Sequence, residues 1–106
     1  MIKIPLQQIA SQKFRIVLEG QNVTIRLFYR FGDMYADVFV GNETICLGSI
    51  CRNRTAIVEN AGEKFKGNLF FMDMLGDTDP QYEDLGSRYV FLYVSANESL
   101  PAGLVV

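Results

Sequence analysis

The sequence contains no histidine, no tryptophan and only two cysteines, Cys46 and Cys51, among its 106 residues. Zinc takes four ligands, most often Cys or His, so the usual structural and catalytic zinc sites cannot be assembled. Histidine-based acid–base catalysis and the Ser-His-Asp and Cys-His arrangements are excluded as well. Two cysteines suit a reducing compartment, where we expect free thiols rather than a disulfide. These absences exclude the commonest zinc and catalytic sites, and we expect no enzyme and no metal or cofactor site.

Long apolar runs are also missing. No stretch approaches the about 18 uninterrupted apolar residues of a membrane span, and the first residues lack the apolar core and cleavage site of a signal peptide. The sequence thus predicts neither membrane insertion nor export by this route.

The net charge is small, and the charged residues are unevenly distributed along the chain. The formal net charge is −2, whereas nucleic-acid-binding domains carry a marked basic excess. Residues 1–66 hold nine bases and six acids, and residues 67–106 hold six acids and one base, Arg88. This polarity suggests a surface that meets a protein partner of opposite sign.

The chain has the length of a single domain, and 49% of its residues are hydrophobic, enough for a real core. Residues 96–106 show no periodicity. We predict a β domain over residues 1–95 and a C-terminal arm over residues 96–106 that orders against a partner.

Alternation with a period of two indicates strands at residues 14–18 and 23–31, with the odd positions of the second strand facing the core. Gly32-Asp33 suits a two-residue type II′ turn, which would place Phe31 opposite Met34 and Leu27 opposite Val38.

The neighbouring hairpins also keep the apolar residues on one face of the sheet. A four-residue loop over residues 19–22 would place Ile16 opposite Ile25, and Gly41-Asn42 would close a third hairpin with Ala36 opposite Leu47. Parity therefore predicts an N-terminal four-strand meander.

Further strands are predicted at residues 67–72 and 88–94. The second is apolar on both faces and should be central in its sheet. Residues 73–87, with five carboxylates and no base, form a long acidic loop that does not match an EF-hand. Residues 55–60 are compatible with a helical turn or a short strand. The predicted fold is all-β: one antiparallel sandwich or barrel of six to seven strands with at most one short helix.

The outer face of the predicted meander pairs Arg30 with Tyr35 and Arg26 with Phe39. Such a face is either solvated, with long side chains covering the rings, or a contact surface, because exposed Arg and aromatic residues are enriched where proteins meet. The candidate contact residues fall in three groups: Arg26, Arg30, Tyr35 and Phe39 on this face; Asp77, Asp79, Glu83 and Asp84 in the acidic loop; and Leu104, Val105 and Val106 in the arm.

An alternative function is single-strand nucleic-acid binding by a small β-barrel, in which aromatic side chains stack on bases beside arginines. The arginines concerned are Arg15, Arg26, Arg30, Arg52 and Arg54, interleaved with Phe14, Phe28 and Tyr29. The acidic loop and the pI near 5.0 count against this function.

Residues 6–94 resemble the small baseplate plug proteins of contractile-tailed bacteriophages. The resemblance rests on the Arg and aromatic alternation of residues 23–31, on residues 67–71 and on Asp79-Pro80. Its most specific part is the Asp84-Leu85-Gly86 turn that leads into residues 89–94.

The resemblance implies a non-enzymatic virion component, assembled in the host cytoplasm, that packs against the central hub of the tail baseplate near the end of the tail tube. The implied partners are other baseplate proteins, including the hub and the tail tube, with several copies in a symmetric assembly and no nucleic-acid or membrane partner.

Overall fold

The computed structural model of the chain describes residues 1–59 and 61–104. Within these residues, seven strands form two antiparallel sheets, and two single 3-10 turns, Gly62–Lys64 and Tyr82–Asp84, are the only helical segments. The strands are β1 (Ile2–Ile4), β2 (Ser11–Leu18), β3 (Gln21–Arg30), β4 (Asp33–Val40), β5 (Glu43–Ile50), β6 (Asn68–Asp73) and β7 (Tyr89–Val94). The prediction of an all-β fold is confirmed.

The larger sheet has the order β2-β3-β4-β5, which is the predicted meander. Val23, Ile25 and Leu27 of β3 are fully buried, as are Ala36 and Val38 of β4. The predicted core face is therefore correct for both central strands.

The predicted pairing of the first two hairpins is wrong by two residues. Tyr29 pairs with Met34, and Leu27 pairs with Ala36 instead of Val38. The turn residues are Phe31 and Gly32, both with positive φ (50° and 88°), which is the geometry of a type I′ turn. The chain thus uses glycine at the second turn position, not the first. Because the error is an even number of residues, the paired residues of the strands keep their predicted faces, and Phe31, now a turn residue, does not.

The hairpin between β2 and β3 shows the same displacement. Leu18 pairs with Gln21 and Ile16 pairs with Val23, so the loop contains two residues, Glu19 and Gly20, rather than four. Both have positive φ, at 49° and 73°, which again matches the right-handed twist of the flanking strands.

The third hairpin closes at Gly41-Asn42 as predicted, but its register then changes. Irregularities on either side of Val38 bring this residue opposite Cys46 and bring Ala36 opposite Ser49. The extra residues of a bulge shift the parity of the strand, and Leu47 is consequently 66% exposed instead of packing on Ala36.

The smaller sheet has the order β1-β7-β6, so β7 is central, as predicted. All six residues of β7 are buried. Its inward residues Tyr89, Phe91 and Tyr93 share one buried cluster with the inner face of the larger sheet. The two sheets therefore pack as the layers of a sandwich.

Residues 53–57 run along the free edge of β6 and turn at Arg54, whose φ is 62°; the described residues 55–59 do not form the predicted alternative of a helical turn. The Arg54 N–H donates to the Phe71 carbonyl at 2.7 Å, and the Ile57 N–H donates to the Leu69 carbonyl at 2.9 Å. Asn60, which ends the predicted segment, lies outside the described residues.

One end of the sandwich is closed around the Tyr93 hydroxyl. This oxygen lies 2.7 Å from Glu19 Oε1 and 2.6 Å from the Lys66 carbonyl oxygen. Burial, followed by the hydrogen bond to Glu19, raises the pKa of Tyr93 above its usual range. Gly67, with φ +80°, lies so close that an added Cβ would be 2.5 Å from the Val94 carbonyl oxygen. Only glycine fits at this position.

We expect Leu27→Ala to lower the free energy of unfolding by about 2–5 kcal/mol, because it removes buried methyl groups and leaves a cavity in the core. Leu47→Ala is the matched control, since Leu47 is 66% exposed, and it should change stability by less than about 1 kcal/mol. Denaturant unfolding measures both values. A larger loss for Leu47 than for Leu27 would contradict the observed register.

Candidate contact surfaces

Arginine and aromatic side chains form a cluster on the outer face of the larger sheet. The Arg26 guanidinium carbon lies 4.3 Å from the centre of the Phe28 ring, and that of Arg30 lies 5.4 Å from the same centre. Phe28 in turn stacks on Tyr35 of the adjacent strand, with the ring centres 5.7 Å apart. We refer to Arg26, Phe28, Arg30 and Tyr35 as the arginine–aromatic cluster.

The pairs that build this face differ from the prediction because of the two-residue displacement. Phe28 lies opposite Tyr35 and Arg26 lies opposite Asp37, where Arg30–Tyr35 and Arg26–Phe39 had been expected. Arg26 Nη1 donates to Asp37 Oδ2 at 3.2 Å, and the Gly48 N–H donates to Asp37 Oδ1 at 2.7 Å. Asp37 therefore connects the cluster to the bulged part of β5.

The structure places all four predicted residues of this face on the same side of the sheet. Phe39 lies two residues beyond Asp37 along β4, opposite Thr24. Lys13 pairs with Arg26, and Arg15 pairs with Thr24, so both extend the same face across β2. On this face, Asp37 lies opposite Arg26, and Asp33 lies opposite Arg30. The cross-strand neighbours of Lys13 and Arg15 on β3 are not acidic, so the face carries more cations than carboxylates.

Phe31 is a candidate contact residue that sequence reasoning assigned to the core face. It is 93% exposed at the tip of the β3–β4 hairpin, and its φ of 50° is unfavourable for a residue with a bulky side chain. The Gln81 side chain donates to the carbonyl of the neighbouring Gly32 at 2.9 Å. The hairpin tip therefore lies beside the acidic loop.

The four predicted residues of the acidic loop have different surroundings. Asp77, Glu83 and Asp84 are exposed. Asp79 is half-buried, and it accepts hydrogen bonds from Arg52 Nη1 at 3.3 Å and from the Asn53 N–H at 2.9 Å. The loop thus presents three exposed carboxylates, while the fourth fixes the loop to the segment that follows β5.

A buried ion pair holds the start of this loop. Asp73, whose side chain is fully buried, accepts two hydrogen bonds of 2.8 Å from the Arg88 guanidinium. It also accepts bonds from the N–H groups of Leu75 and Thr78, both at 2.9 Å. The Arg88 guanidinium holds the pKa of Asp73 well below its usual range, which outweighs the opposing effect of burial. The fifth carboxylate of the predicted loop is therefore structural.

The C-terminal candidates are divided between described and undescribed residues. Leu104 is buried and packs in a small cluster with Ala56, Phe70 and Val94 on the outer side of the smaller sheet. Val105 and Val106 lie outside the described residues. Their docking on a partner, and the division of the chain at residue 95, remain predictions.

Between residues 1 and 104, Asn60 excepted, no group of three or more Cys, Asp or Glu side chains could hold a metal ion. No helix in the described ranges is long and apolar enough to cross a membrane. Cys46 and Cys51 are free thiols, and burial raises the pKa of both.

The chain matches a known protein family over most of its length. The family model described as "Cyanophage baseplate Pam3 plug gp18" matches residues 1–97. No curated protein matches the chain. The matched region includes the arginine–aromatic cluster, the hairpin tip and the acidic loop.

We expect Asp73→Asn to lower the thermal unfolding midpoint by about 10 °C or more at pH 7, because the Arg88 guanidinium then loses its buried counter-ion. Asp79→Asn is the matched control, since its partner Arg52 is exposed, and it should shift the midpoint by only a few degrees. Calorimetry or circular dichroism measures both midpoints.

The pH dependence follows from the lowered pKa of Asp73. Its contribution to stability is complete above the unfolded-state pKa of about 3.9 and is lost as the pH falls through the folded-state pKa. The difference in midpoint between the wild type and Asp73→Asn should therefore be constant from about pH 7 to pH 5 and should narrow below about pH 4. A difference that widens on acidification would contradict the ion pair.

Proposed function

The chain belongs to the cyanophage baseplate plug family, and we propose that it fills a gap in the phage tail baseplate, against the central hub near the end of the tail tube. In this role it acts through protein contacts and not through catalysis. The observation that carries the proposal is the presence of two differently charged surfaces on one small sandwich. One is the basic outer face of the larger sheet, and the other is the acidic loop.

These surfaces are suited to holding a protein in one orientation. Complementary charge guides partners into register and penalises the wrong approach, so a domain with one basic and one acidic surface docks in a preferred direction. The stacked rings and guanidinium groups of the arginine–aromatic cluster are partly exposed, and Arg and Tyr are enriched in protein interfaces.

Phe31 adds an apolar anchor beside the acidic loop. A phenylalanine that is exposed and held at positive φ is unfavourable in the free chain, and such local costs occur where a residue serves a partner. We assign Phe31 to a pocket on a neighbouring baseplate protein.

The remaining parts of the proposal concern assembly. The chain is synthesised in the host cytoplasm, several copies join a symmetric baseplate, and no cofactor takes part. The small size of the domain is consistent with a role in which neighbours supply part of the stability.

Arg30→Glu should reduce incorporation of the chain into baseplates by about tenfold or more, because the substitution places a negative charge in the basic contact surface. Incorporation is measured by quantitative mass spectrometry of particles from a phage that lacks its own plug gene and receives the variant from a plasmid. The control is Lys3→Glu, which makes the same change of charge on the smaller sheet and should incorporate normally. Equal incorporation of both variants at the wild-type level would contradict the proposed surface.

Phe31→Asn should stabilise the isolated chain by about 0.5–1 kcal/mol and yet impair incorporation, because Asn-Gly is a preferred type I′ turn whereas asparagine cannot fill an apolar pocket. Denaturant unfolding and the same particle assay provide the two measurements. Ile2→Asn, at another exposed apolar residue, is the control for incorporation. A stabilised variant that incorporates fully would show that Phe31 makes no contact.

A further inference from the structure

The two open sheets have four edges, and three of them are unsuited to pairing with another strand. The edge of β6 is occupied by residues 53–57, through the hydrogen bonds described above. At the opposite edge of the smaller sheet, β1 has only three residues. The edge of β5 is interrupted by its bulge and by Gly48, which has a φ of 60°. Irregular and very short edges discourage strand addition.

The edge formed by β2 is long and regular. Eight residues, Ser11–Leu18, pair with β3 without a register shift. The Tyr29 N–H donates to the Ala10 carbonyl at 2.8 Å. Because hydrogen-bonded pairs alternate with non-hydrogen-bonded pairs along two antiparallel strands, the even-numbered residues of β2 exchange hydrogen bonds with β3. The N–H and C=O groups of Ser11, Lys13, Arg15 and Val17 consequently point away from the sheet.

The side chains of these residues indicate which strand could pair with them. Lys13 and Arg15 lie on the outer face, so an added strand would place alternate side chains directly beside both cations. Next to them is an open depression of about 540 Å³ lined by Arg15, Val17, Asn22 and Thr24, with room for partner side chains. A second copy of β2 is disfavoured, because antiparallel self-pairing would bring like charges together.

We propose that β2 accepts an extended acidic segment of a neighbouring baseplate protein, which adds a fifth strand to the larger sheet by backbone hydrogen bonds and places its carboxylates beside Lys13 and Arg15. This inference rests on the proposed function and names the kind of partner that the basic face receives. Main-chain bonds would supply affinity, and the charges would supply selectivity.

Arg15→Pro tests the proposal, because proline removes an N–H that faces outward and leaves the β2–β3 ladder intact. Arg15→Gln is the matched control, since it removes the same charge but keeps the N–H. In the particle assay we expect Arg15→Gln to incorporate several-fold less well than the wild type and Arg15→Pro to be absent from particles. Equal incorporation of the two variants would overturn strand addition, while the outcome for Arg30→Glu would still decide the proposed function separately.

Hydrogen exchange of the wild-type chain provides a second test that does not depend on the folding of a variant. In assembled baseplates the amides of Lys13 and Arg15 should exchange about 100-fold more slowly than in the free chain, whereas the amide of Phe14 is already protected by β3. Unchanged exchange at both amides would overturn the proposal. Protection that develops in the purified chain at high concentration would assign the edge to a second copy and would overturn it as well.

Discussion

The burial of the inner faces of the two sheets against each other is the contact on which the rest of the structure depends. Phe91 stacks on Phe71 with ring centres 4.6 Å apart, and both belong to the cluster that contains Leu27 and Val38 of the other sheet. A four-stranded meander with one apolar face cannot remain exposed in water, and the three-stranded sheet covers that face. Because these side chains are committed to the core, contacts with other proteins must come from the outer face, the turns and the sheet edges.

A buried ion pair organises the acidic loop between β6 and β7. Asp73 lies at the end of β6, and Arg88 immediately precedes β7. Their ion pair therefore joins the two ends of the fifteen-residue segment between β6 and β7. The Asp73 carboxylate also accepts hydrogen bonds from the N–H groups of Leu75 and Thr78. Desolvation offsets part of the Coulomb attraction of such a pair, whereas loss of one partner would leave a charge without its counter-ion. The exposed carboxylates thus belong to a loop that is held by hydrogen bonds at Asp73 and Asp79.

Sequence periodicity predicted which face each residue of β3 and β4 occupies, but it could not predict which residues pair. Leu27 was correctly placed in the core, whereas its partner was wrong by two residues, because displacement by two leaves the alternation unchanged. Phe31 was wrongly placed on the core face, because alternation alone does not show where a strand ends and its turn begins. Strand β1 was missed because three residues are too few to show a period. The pairing of Asp73 with Arg88 was not predicted, because Arg88 was assigned to the strand that follows the acidic loop.

The close approach at Gly67 has a consequence for how this protein can vary. The position has no space for a methyl group, with the Tyr93 hydroxyl 2.6 Å and the Val94 carbonyl oxygen 2.5 Å from where a Cβ would lie. The methyl group of an alanine there would clash with Tyr93 and Val94 and force the end of the sandwich apart, while the residues on the outer face of the larger sheet would be unchanged. A phage carrying that allele should have a heat-sensitive baseplate although the outer face of the larger sheet is unchanged, and suppressor substitutions would be expected near Gly67 and not on that face.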